Sequence, residues 1–280
     1  MLVFTKIDEI RSAIADLRAK GKSIGFVPTM GALHNGHLSL LRISKAENDV
    51  SVCSIFVNPI QFNNPEDLEK YPRDLDDDIK KLESKGCDIV FAPSVEEMYP
   101  GEIDISYDFG SLEKVMEGGH RPGHFNGVAI VVKKLFEICL PHKAYFGEKD
   151  FQQLLIVREL VKIENIPVEV IGCPIIRERD GLAMSSRNVR LSEHNRSIAP
   201  EIYCTLMRLK DQAGKYPFDK ALREAEKRLI RHREIKLEYV EIVDESSLLK
   251  VDGWDRAKHL RAFIALFLGD VRLIDNMKIT

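Results

Sequence analysis

Segments typical of strands and segments typical of helices alternate over the first 176 residues of this chain. Short runs rich in apolar and β-branched residues predict strands at 23–27, 50–57, 88–93, 143–147 and 167–171. Helical spacing predicts helices at 7–20, from the histidines at 34 and 37 onward, and at 74–84, 126–140 and 150–163. This alternation predicts a mostly parallel sheet with helices on both faces, and such sheets bind ligands at the carboxyl ends of their strands.

The pattern changes after about residue 176. Helical stretches are predicted at 194–213 and 218–233, and strands follow at 237–243, 260–267 and 271–276. We therefore expect an α/β protein with two domains. We expect residues 1–176 to form a parallel sheet with helices on both faces, and residues 177–280 to form a smaller C-terminal α+β domain.

Composition excludes several classes of function. The 280 residues carry a net charge of -3, which gives no support for a nucleic-acid partner. No apolar run approaches the roughly 20 residues that span a bilayer, and the N-terminus lacks the apolar core of a secretory signal. The five cysteines are scattered without a CxxC pair, which favours buried thiols in a reducing compartment. We expect a cytoplasmic protein without a membrane partner.

The sequence His34-Asn35-Gly36-His37 follows a predicted buried strand and opens a helix. A helix N-terminus carries unpaired N–H groups and a partial positive charge, which suit phosphate. Imidazoles add hydrogen-bond donors that can stabilise charge on a phosphoryl group. Two alternatives remain open from these residues alone: a pair of metal ligands, or a structural cap in which Gly36 only serves the turn.

Two further motifs also follow predicted strands or open helices. Asn58-Pro59-Ile60-Gln61 offers amides that can orient a polar substrate, although turn formation alone explains these residues. The loop 118–127 contains four glycines, Arg121 and two histidines, so it is either a site for anions or an exposed basic loop.

Two later motifs offer cations and hydroxyl groups. Residues 147–153 bring a glycine, Lys149 and Asp150 together, which suits a phosphate site or an ordinary turn with an aspartate cap. Met184-Ser185-Ser186-Arg187 can bind a triphosphate, or it is a surface loop. The acidic run 74–78 is typical of a solvated helix N-terminus, and Asp77 and Asp78 remain weak metal candidates.

These motifs together resemble the pantoate–β-alanine ligase family, the pantothenate synthetases, within the adenylate-forming nucleotidyltransferase superfamily. The resemblance rests on the segments 27–37, 56–62, 71–74, 119–128, 146–150 and 182–188, which occur in the family's order and cover nearly the whole chain. It implies ATP-dependent condensation of pantoate with β-alanine through a pantoyl adenylate, with release of pyrophosphate and AMP. It also implies a Rossmann-like N-terminal domain, a smaller C-terminal domain that closes over the active site, and a homodimer. We expect Mg²⁺ on the phosphates of ATP.

The resemblance also implies roles for individual residues. His34, His37, Lys149 and Arg187 would be catalytic, with His37 as the proton donor. Gln61 and Gln153 would hold pantoate, and Gln61 would also contact β-alanine. The residues implied to bind ATP are Met30, Gly31, Ala32, Leu33, His34, Asn35, Gly36, His37, Gly147, Glu148, Lys149, Asp150, Ile176, Met184, Ser185, Ser186 and Arg187.

The two substrates of such a first step are both anions, so we expect cationic donors from His34, His37, Lys149 and Arg187. Two alternative functions share part of this pattern. A nucleotidyltransferase that moves AMP or CMP onto a phosphate-bearing acceptor would share the histidine motif, and a regulatory module would bind ATP without turnover. A tRNA synthetase is disfavoured by the chain length and by the net charge of -3.

Overall fold

A computed structural model describes residues 1–280, and a six-stranded parallel sheet forms the centre of its N-terminal part. The strands are β1 (Leu2–Phe4), β2 (Ile24–Thr29), β3 (Val50–Ile55), β4 (Ile89–Phe91), β5 (Lys143–Gly147) and β6 (Glu169–Cys173). They are arranged in the order β1-β4-β3-β2-β5-β6, and every neighbouring pair is parallel.

Helices cover both faces of this sheet because successive strand residues point to opposite sides. Phe26 packs with Phe136 in one core, whereas Val27 packs with Leu41 and Leu82 in a second core on the other face. The helices are α1 (Ile7–Ala19), α2 (Asn35–Glu47), α3 (Pro65–Glu69), α4 (Leu75–Ser84), α5 (Val95–Met98), α6 (Met116–His120), α7 (His124–Cys139) and α8 (Phe151–Ile163).

The strand order places a switch point between β2 and β5. From β2 the chain proceeds through β3 to β4 on one side, and from β5 to β6 on the other. The connections diverge there and leave a crevice at the carboxyl ends of the two strands, where ligands of open α/β sheets bind. The histidine motif follows β2 and the Lys149 motif follows β5, so both begin at this crevice.

The C-terminal part is an antiparallel sheet covered by helices, as expected. It contains α9 (Glu193–Ile198), α10 (Glu201–Gln212), α11 (Phe218–Ile230), β7 (Ile235–Asp244), β8 (Leu260–Leu268) and β9 (Val271–Lys278). One face packs on α10 and α11, and the other contributes Tyr239 and Phe263 to the core of the parallel sheet. The predicted fold class is confirmed, and the boundary between residues 176 and 177 stays a prediction.

Among the elements that differ from the sequence prediction are α9, α10, β1 and β6. The helix predicted at 194–213 is two helices, since Pro200 lacks the N–H that a continuous helix needs. β1 was not predicted, because three partly exposed residues are too short to show a period. β6 begins at Glu169, two residues later than expected, where pairing with Lys143 of β5 starts.

All five cysteines are free thiols, and four of them are buried. Burial raises the pKa of Cys87 to about 11 and that of Cys173 to about 11. Cys204 is exposed, so the expectation of buried thiols is wrong for this residue. None of the helices is long and apolar enough to cross a membrane.

Candidate active site

The histidine motif forms the N-terminal cap of α2. Nδ1 of His34 accepts the backbone N–H of Gly36 at 3.1 Å, and Nδ1 of His37 accepts the backbone N–H of His34 at 3.4 Å. The two rings are 4.0 Å apart between centroids. Since each Nδ1 accepts a hydrogen bond, a neutral ring carries its proton on Nε2. The cap uses neither Nε2–H group. The two histidines can therefore cap the helix and donate hydrogen bonds to a ligand at the same time.

Both imidazoles are neutral in the protein alone. Burial, helped by the positive charge of Lys149, lowers the pKa of His34 to about 4. Burial and the neighbouring His34 lower the pKa of His37 well below its usual value. The expectation that these histidines supply positive charge is therefore wrong for the unliganded site, where Lys149 and Arg187 provide it.

Asp78 holds the loop between β2 and α2. Its carboxylate accepts the backbone N–H groups of Ala32 at 2.8 Å and Leu33 at 2.7 Å. Gly31 has φ +81°, and a Cβ there would lie 2.8 Å from Asp78 Oδ2. The loop therefore requires both a glycine and a buried carboxylate.

These contacts overturn the weak metal assignment of the acidic run. Both oxygens of Asp78 are engaged by backbone N–H groups, and Asp77 pairs with Lys81 one helical turn later. No group of three or more His, Cys, Asp or Glu side chains is arranged to hold a metal ion. The alternative in which His34 and His37 are metal ligands lacks a third ligand for the same reason.

Gln61 lies in a short 3-10 helix after β3 and is held by its neighbours. Asn58 Nδ2 donates to Gln61 Oε1 at 3.2 Å, and Gln61 Nε2 donates to the sulfur of Met30 at 2.9 Å. The carbonyl oxygen of Gln61 lies 2.7 Å from His124 Nδ1 and accepts from Arg121 at 3.4 Å. Two polar contacts thus fix the side-chain amide of Gln61 and two more fix its backbone carbonyl, and the residue is only 8% exposed.

The Lys149 motif forms a 3-10 turn between β5 and α8. Lys149 Nζ lies 3.5 Å from Asp150 Oδ1, and its side chain is mostly buried. Asp150 makes no side-chain cap for α8, so the alternative of an aspartate cap is wrong.

The Ser-Ser-Arg motif reaches across to the histidine loop. Ser186 Oγ donates to the carbonyl oxygen of Ala32 at 3.1 Å, and Ser185 Oγ accepts the backbone N–H of Arg187 at 3.3 Å. Arg187 donates to Asp67 at 2.7 Å. Burial opposes the charge on Arg187, but the hydrogen bonds with Asp67 outweigh it and raise its pKa. This motif is therefore a partly buried, charged wall rather than a surface loop.

The motifs line one cavity of about 230 Å³. The expected site residues that line it are Met30, His34, Gly36, His37, Gln61, Gly147, Lys149, Asp150, Gln153, Ile176, Met184, Ser185, Ser186 and Arg187. The other expected ATP residues lie next to the cavity in the chain without lining it, and these are Gly31, Ala32, Leu33, Asn35 and Glu148.

Some cavity residues were not among the predicted site residues. Tyr71, Arg121 and His124 line the cavity. They lie in the segments 71–74 and 119–128, which belong to the motifs that carry the family resemblance. One face of α7 adds an apolar wall made of Val128, Val131, Val132 and Leu135. The sequence shows these valines only as helical core residues, since nothing local indicates which of them faces a ligand.

Comparison with known proteins agrees with this geometry. The model of the pantoate–β-alanine ligase family matches residues 2–278. A pantothenate synthetase of Bacteroides fragilis is 50% identical over 278 residues, which are 99% of each chain. The crystal structure of pantothenate synthetase from Thermus thermophilus matches with a TM-score of 0.93 and 44% identity over 100% of this chain and 99% of that one.

A further solved relative contains ligands. Pantoate–β-alanine ligase from Francisella tularensis, complexed with beta-gamma ATP and beta-alanine, matches with a TM-score of 0.83 and 38% identity. The match covers 99% of this chain and 97% of that chain. Matches of this extent exclude the alternatives of a regulatory module and of a general nucleotidyltransferase. The chain is an enzyme and belongs to the pantoate–β-alanine ligase family.

Proposed function

We propose that this enzyme condenses (R)-pantoate with β-alanine in an ATP-dependent reaction, through a pantoyl adenylate. One observation carries the proposal: the neutral histidine pair, the cations Lys149 and Arg187, and the amides of Gln61 and Gln153 line a single cavity. The named ligands of the Francisella tularensis relative, beta-gamma ATP and beta-alanine, support two of the three substrates.

In the first step the carboxylate of pantoate attacks the α-phosphorus of ATP, and pyrophosphate leaves. Two anions must approach each other, so the fixed charges of Lys149 and Arg187 offset their repulsion. The Nε2–H groups of His34 and His37 donate hydrogen bonds to phosphoryl oxygens as negative charge develops. Neutral donors suit this task because they contribute hydrogen bonds without a buried charge of their own.

Pantoate is oriented by contacts of two kinds. Its hydroxyl and carboxylate oxygens accept hydrogen bonds from Gln61 and Gln153, whose amides add no charge. Its two methyl groups pack on the apolar wall of α7. This division of polar and apolar contacts places the carboxylate toward the phosphates.

In the second step the amine of β-alanine attacks the acyl carbon of the adenylate, and AMP leaves. The mixed anhydride supplies a good leaving group, so the protein needs no nucleophile, and no cysteine lines the cavity. The adenylate is open to hydrolysis, so the site must exclude water. Residues of the C-terminal part, including Ser186 and Arg187, close one side of the cavity.

We propose that Mg²⁺ enters as part of the ATP substrate. The described side chains form no metal site of their own, so phosphate oxygens and water supply its ligands. The homodimer that the resemblance implies and the cytoplasmic location expected from the composition stay predictions. Sedimentation equilibrium of the purified chain measures the first, and subcellular fractionation measures the second.

A pyrophosphate-release assay tests the two-step reaction. With ATP and pantoate but without β-alanine, we expect about one equivalent of pyrophosphate per active site, since the adenylate stays bound. Adding β-alanine should then start continuous turnover and the release of AMP. Pyrophosphate that appears only once β-alanine is present would contradict the separate adenylate step.

A further inference from the structure

The turn that carries Lys149 rests on a side chain from the C-terminal sheet. Nδ2 of Asn276, in β9, donates hydrogen bonds to the carbonyl oxygens of Glu148 and Lys149, each at 2.8 Å. These are two consecutive carbonyls of the 3-10 turn after β5. Asn276 is 1% exposed, so water does not replace these bonds readily.

Asn276 is itself fixed in one orientation. Its Oδ1 accepts a hydrogen bond from Nη1 of Arg261 at 2.7 Å. Arg261 is buried, stacks over the ring of Phe151 at 3.8 Å, and pairs with Glu148 and Glu245. Both the oxygen and the nitrogen of the amide have partners. If the amide were rotated by half a turn, its oxygen would face the carbonyl oxygens of Glu148 and Lys149.

Strand β9 is also held at Asp275, the residue next to Asn276. Arg177 donates to both oxygens of Asp275, at 2.6 and 3.0 Å. Asp275 Oδ1 also accepts the backbone N–H of Asn276 at 2.8 Å. The backbone at Asn276 is therefore held from within the C-terminal part, by Asp275 and Arg177.

Lys149 itself has no strong side-chain partner. Its ammonium group contacts only Asp150, at 3.5 Å, so the direction of its flexible side chain depends on its backbone. The backbone carbonyl of Lys149 is one of the two groups that Asn276 holds. An error of about 1 Å in the position of a charged group can cost about 10²-fold in rate.

We propose that Asn276 is a positioning residue for adenylate formation, which acts by holding the backbone of Glu148 and Lys149 so that the Lys149 ammonium group faces the phosphates. This inference rests on the role proposed above for Lys149. It assigns part of the first half-reaction to the C-terminal sheet, although Asn276 does not line the cavity that contains the site residues.

A double-mutant cycle of Asn276→Ala and Lys149→Ala tests this coupling. The measurement is the single-turnover rate of pyrophosphate release with ATP and pantoate. We expect Asn276→Ala to slow this rate about tenfold or more, and to leave kcat/KM for β-alanine unchanged, since β-alanine reacts only after the adenylate forms. In the Lys149→Ala background the same change should have almost no further effect, because the group that it positions is gone.

Asn195→Ala is the matched control. This asparagine also belongs to the C-terminal part, and its side chain makes one long contact, at 3.5 Å with the carbonyl oxygen of Leu268. We expect it to leave the rate unchanged. Asn276→Asp is the second variant, since it keeps the volume and the acceptor for Arg261 but replaces the donor with oxygen. It should show the same loss if Asn276→Ala fails to fold.

The outcomes separate the two proposals. Effects of Asn276→Ala and Lys149→Ala that multiply independently would overturn the coupling, as would normal rates in a folded Asn276→Asp variant. A normal rate in Lys149→Ala would instead overturn the proposed role of Lys149. Slow release in Lys149→Ala together with normal release in both Asn276 variants would refute only the positioning role.

Discussion

In the proposed mechanism, His37 contributes to a binding site for anions without carrying charge itself. Its Nδ1 is occupied by the backbone of the cap, which leaves Nε2–H as its only donor. Burial keeps the ring neutral, so the free site does not bear an uncompensated imidazolium. Positive charge is left to Lys149 and Arg187.

We predict that His37→Ala slows adenylate formation about 10²-fold, by analogy with the loss of one oxyanion donor. The measurement is the single-turnover release of pyrophosphate from ATP and pantoate. Binding of ATP should weaken much less, because the N–H groups at the start of α2 remain.

His194→Ala is the control for this change. That ring is exposed on α9 and pairs only with Glu234, so its removal should leave the rate unchanged. A near-normal rate in His37→Ala would remove His37 from the chemistry and leave it as a cap alone.

At this scale the sequence identifies many of the polar residues of the cavity but not their charge state or their partners. The histidines were found because they follow a strand and begin a helix. Their neutrality depends on burial by distant segments. The pairing of Arg187 with Asp67 joins residues 120 positions apart, and no local pattern indicates it.

Among the elements, α7 and the short 3-10 helix that contains Gln61 are packed unusually closely. A Cβ on Gly127 would lie 2.5 Å from the carbonyl oxygen of Ile60 and 2.7 Å from Cα of Gln61. Asn58 Nδ2 also donates to the carbonyl oxygen of Gly127 at 3.0 Å. The glycine therefore lets the helix approach the backbone of Ile60 and Gln61 closely.

We predict that Gly127→Ala lowers the free energy of unfolding by about 1–3 kcal/mol, because backbone atoms must move to admit the methyl group. The same movement displaces Gln61, so the KM for pantoate should rise. Denaturant titration and steady-state kinetics measure the two effects.

Gly101→Ala is the matched control for that change, since nothing lies within 4 Å of a Cβ at that position. It should alter neither quantity appreciably. A stable Gly127→Ala variant with an unchanged KM would show that the close approach does not position Gln61.

Long periodic elements were predictable, and short or interrupted ones were not. The helix at Ile7–Ala19 and the strand at Lys143–Gly147 have strong local patterns, and both occur where expected. The start of α7 is two residues earlier than expected, because Gly123 with φ +80° turns the chain into the helix before Asn126. The side chain of Asn126 is used instead to bond the backbone of Tyr107.

Across the whole molecule, buried polar contacts connect the parallel and the antiparallel sheets. Arg272 of β9 donates to both oxygens of Glu117 in α6, at 2.6 and 2.7 Å, and Tyr239 of β7 donates to the same carboxylate at 2.8 Å. Burial would raise the pKa of Glu117, but Arg272 and Tyr239 outweigh it and lower the pKa to about 2. The sequence did not reveal this junction, since the partners are far apart along the chain.

We predict that the stability of the whole chain falls as the pH is lowered from about 6.5 toward 4. Burial lowers the pKa of both His34 and His124 to about 4, below the usual value of 6.5. In this pH range the unfolded chain therefore binds more protons than the folded chain. The free energy of unfolding falls by on the order of a few kcal/mol across the range. Above a pH of about 6.5, His34 and His124 should not make the free energy of unfolding depend on pH.

Denaturant titrations at several pH values between about 5 and 7 measure this effect, a range in which most carboxylates remain ionised. His34→Gln should make the free energy of unfolding depend less steeply on pH, whereas His194→Gln should leave that dependence unchanged. An equally steep slope in His34→Gln would mean that His34 is not the neutral group inferred here.

The distribution of thiols decides where a probe can be attached to this enzyme. Since four cysteines are enclosed and Cys204 alone is exposed, on α10, a maleimide dye should label native molecules once. The label would report from the C-terminal part without any engineered cysteine. Paired with a donor placed on the parallel-sheet part, it would allow energy transfer to test whether the two parts move during turnover.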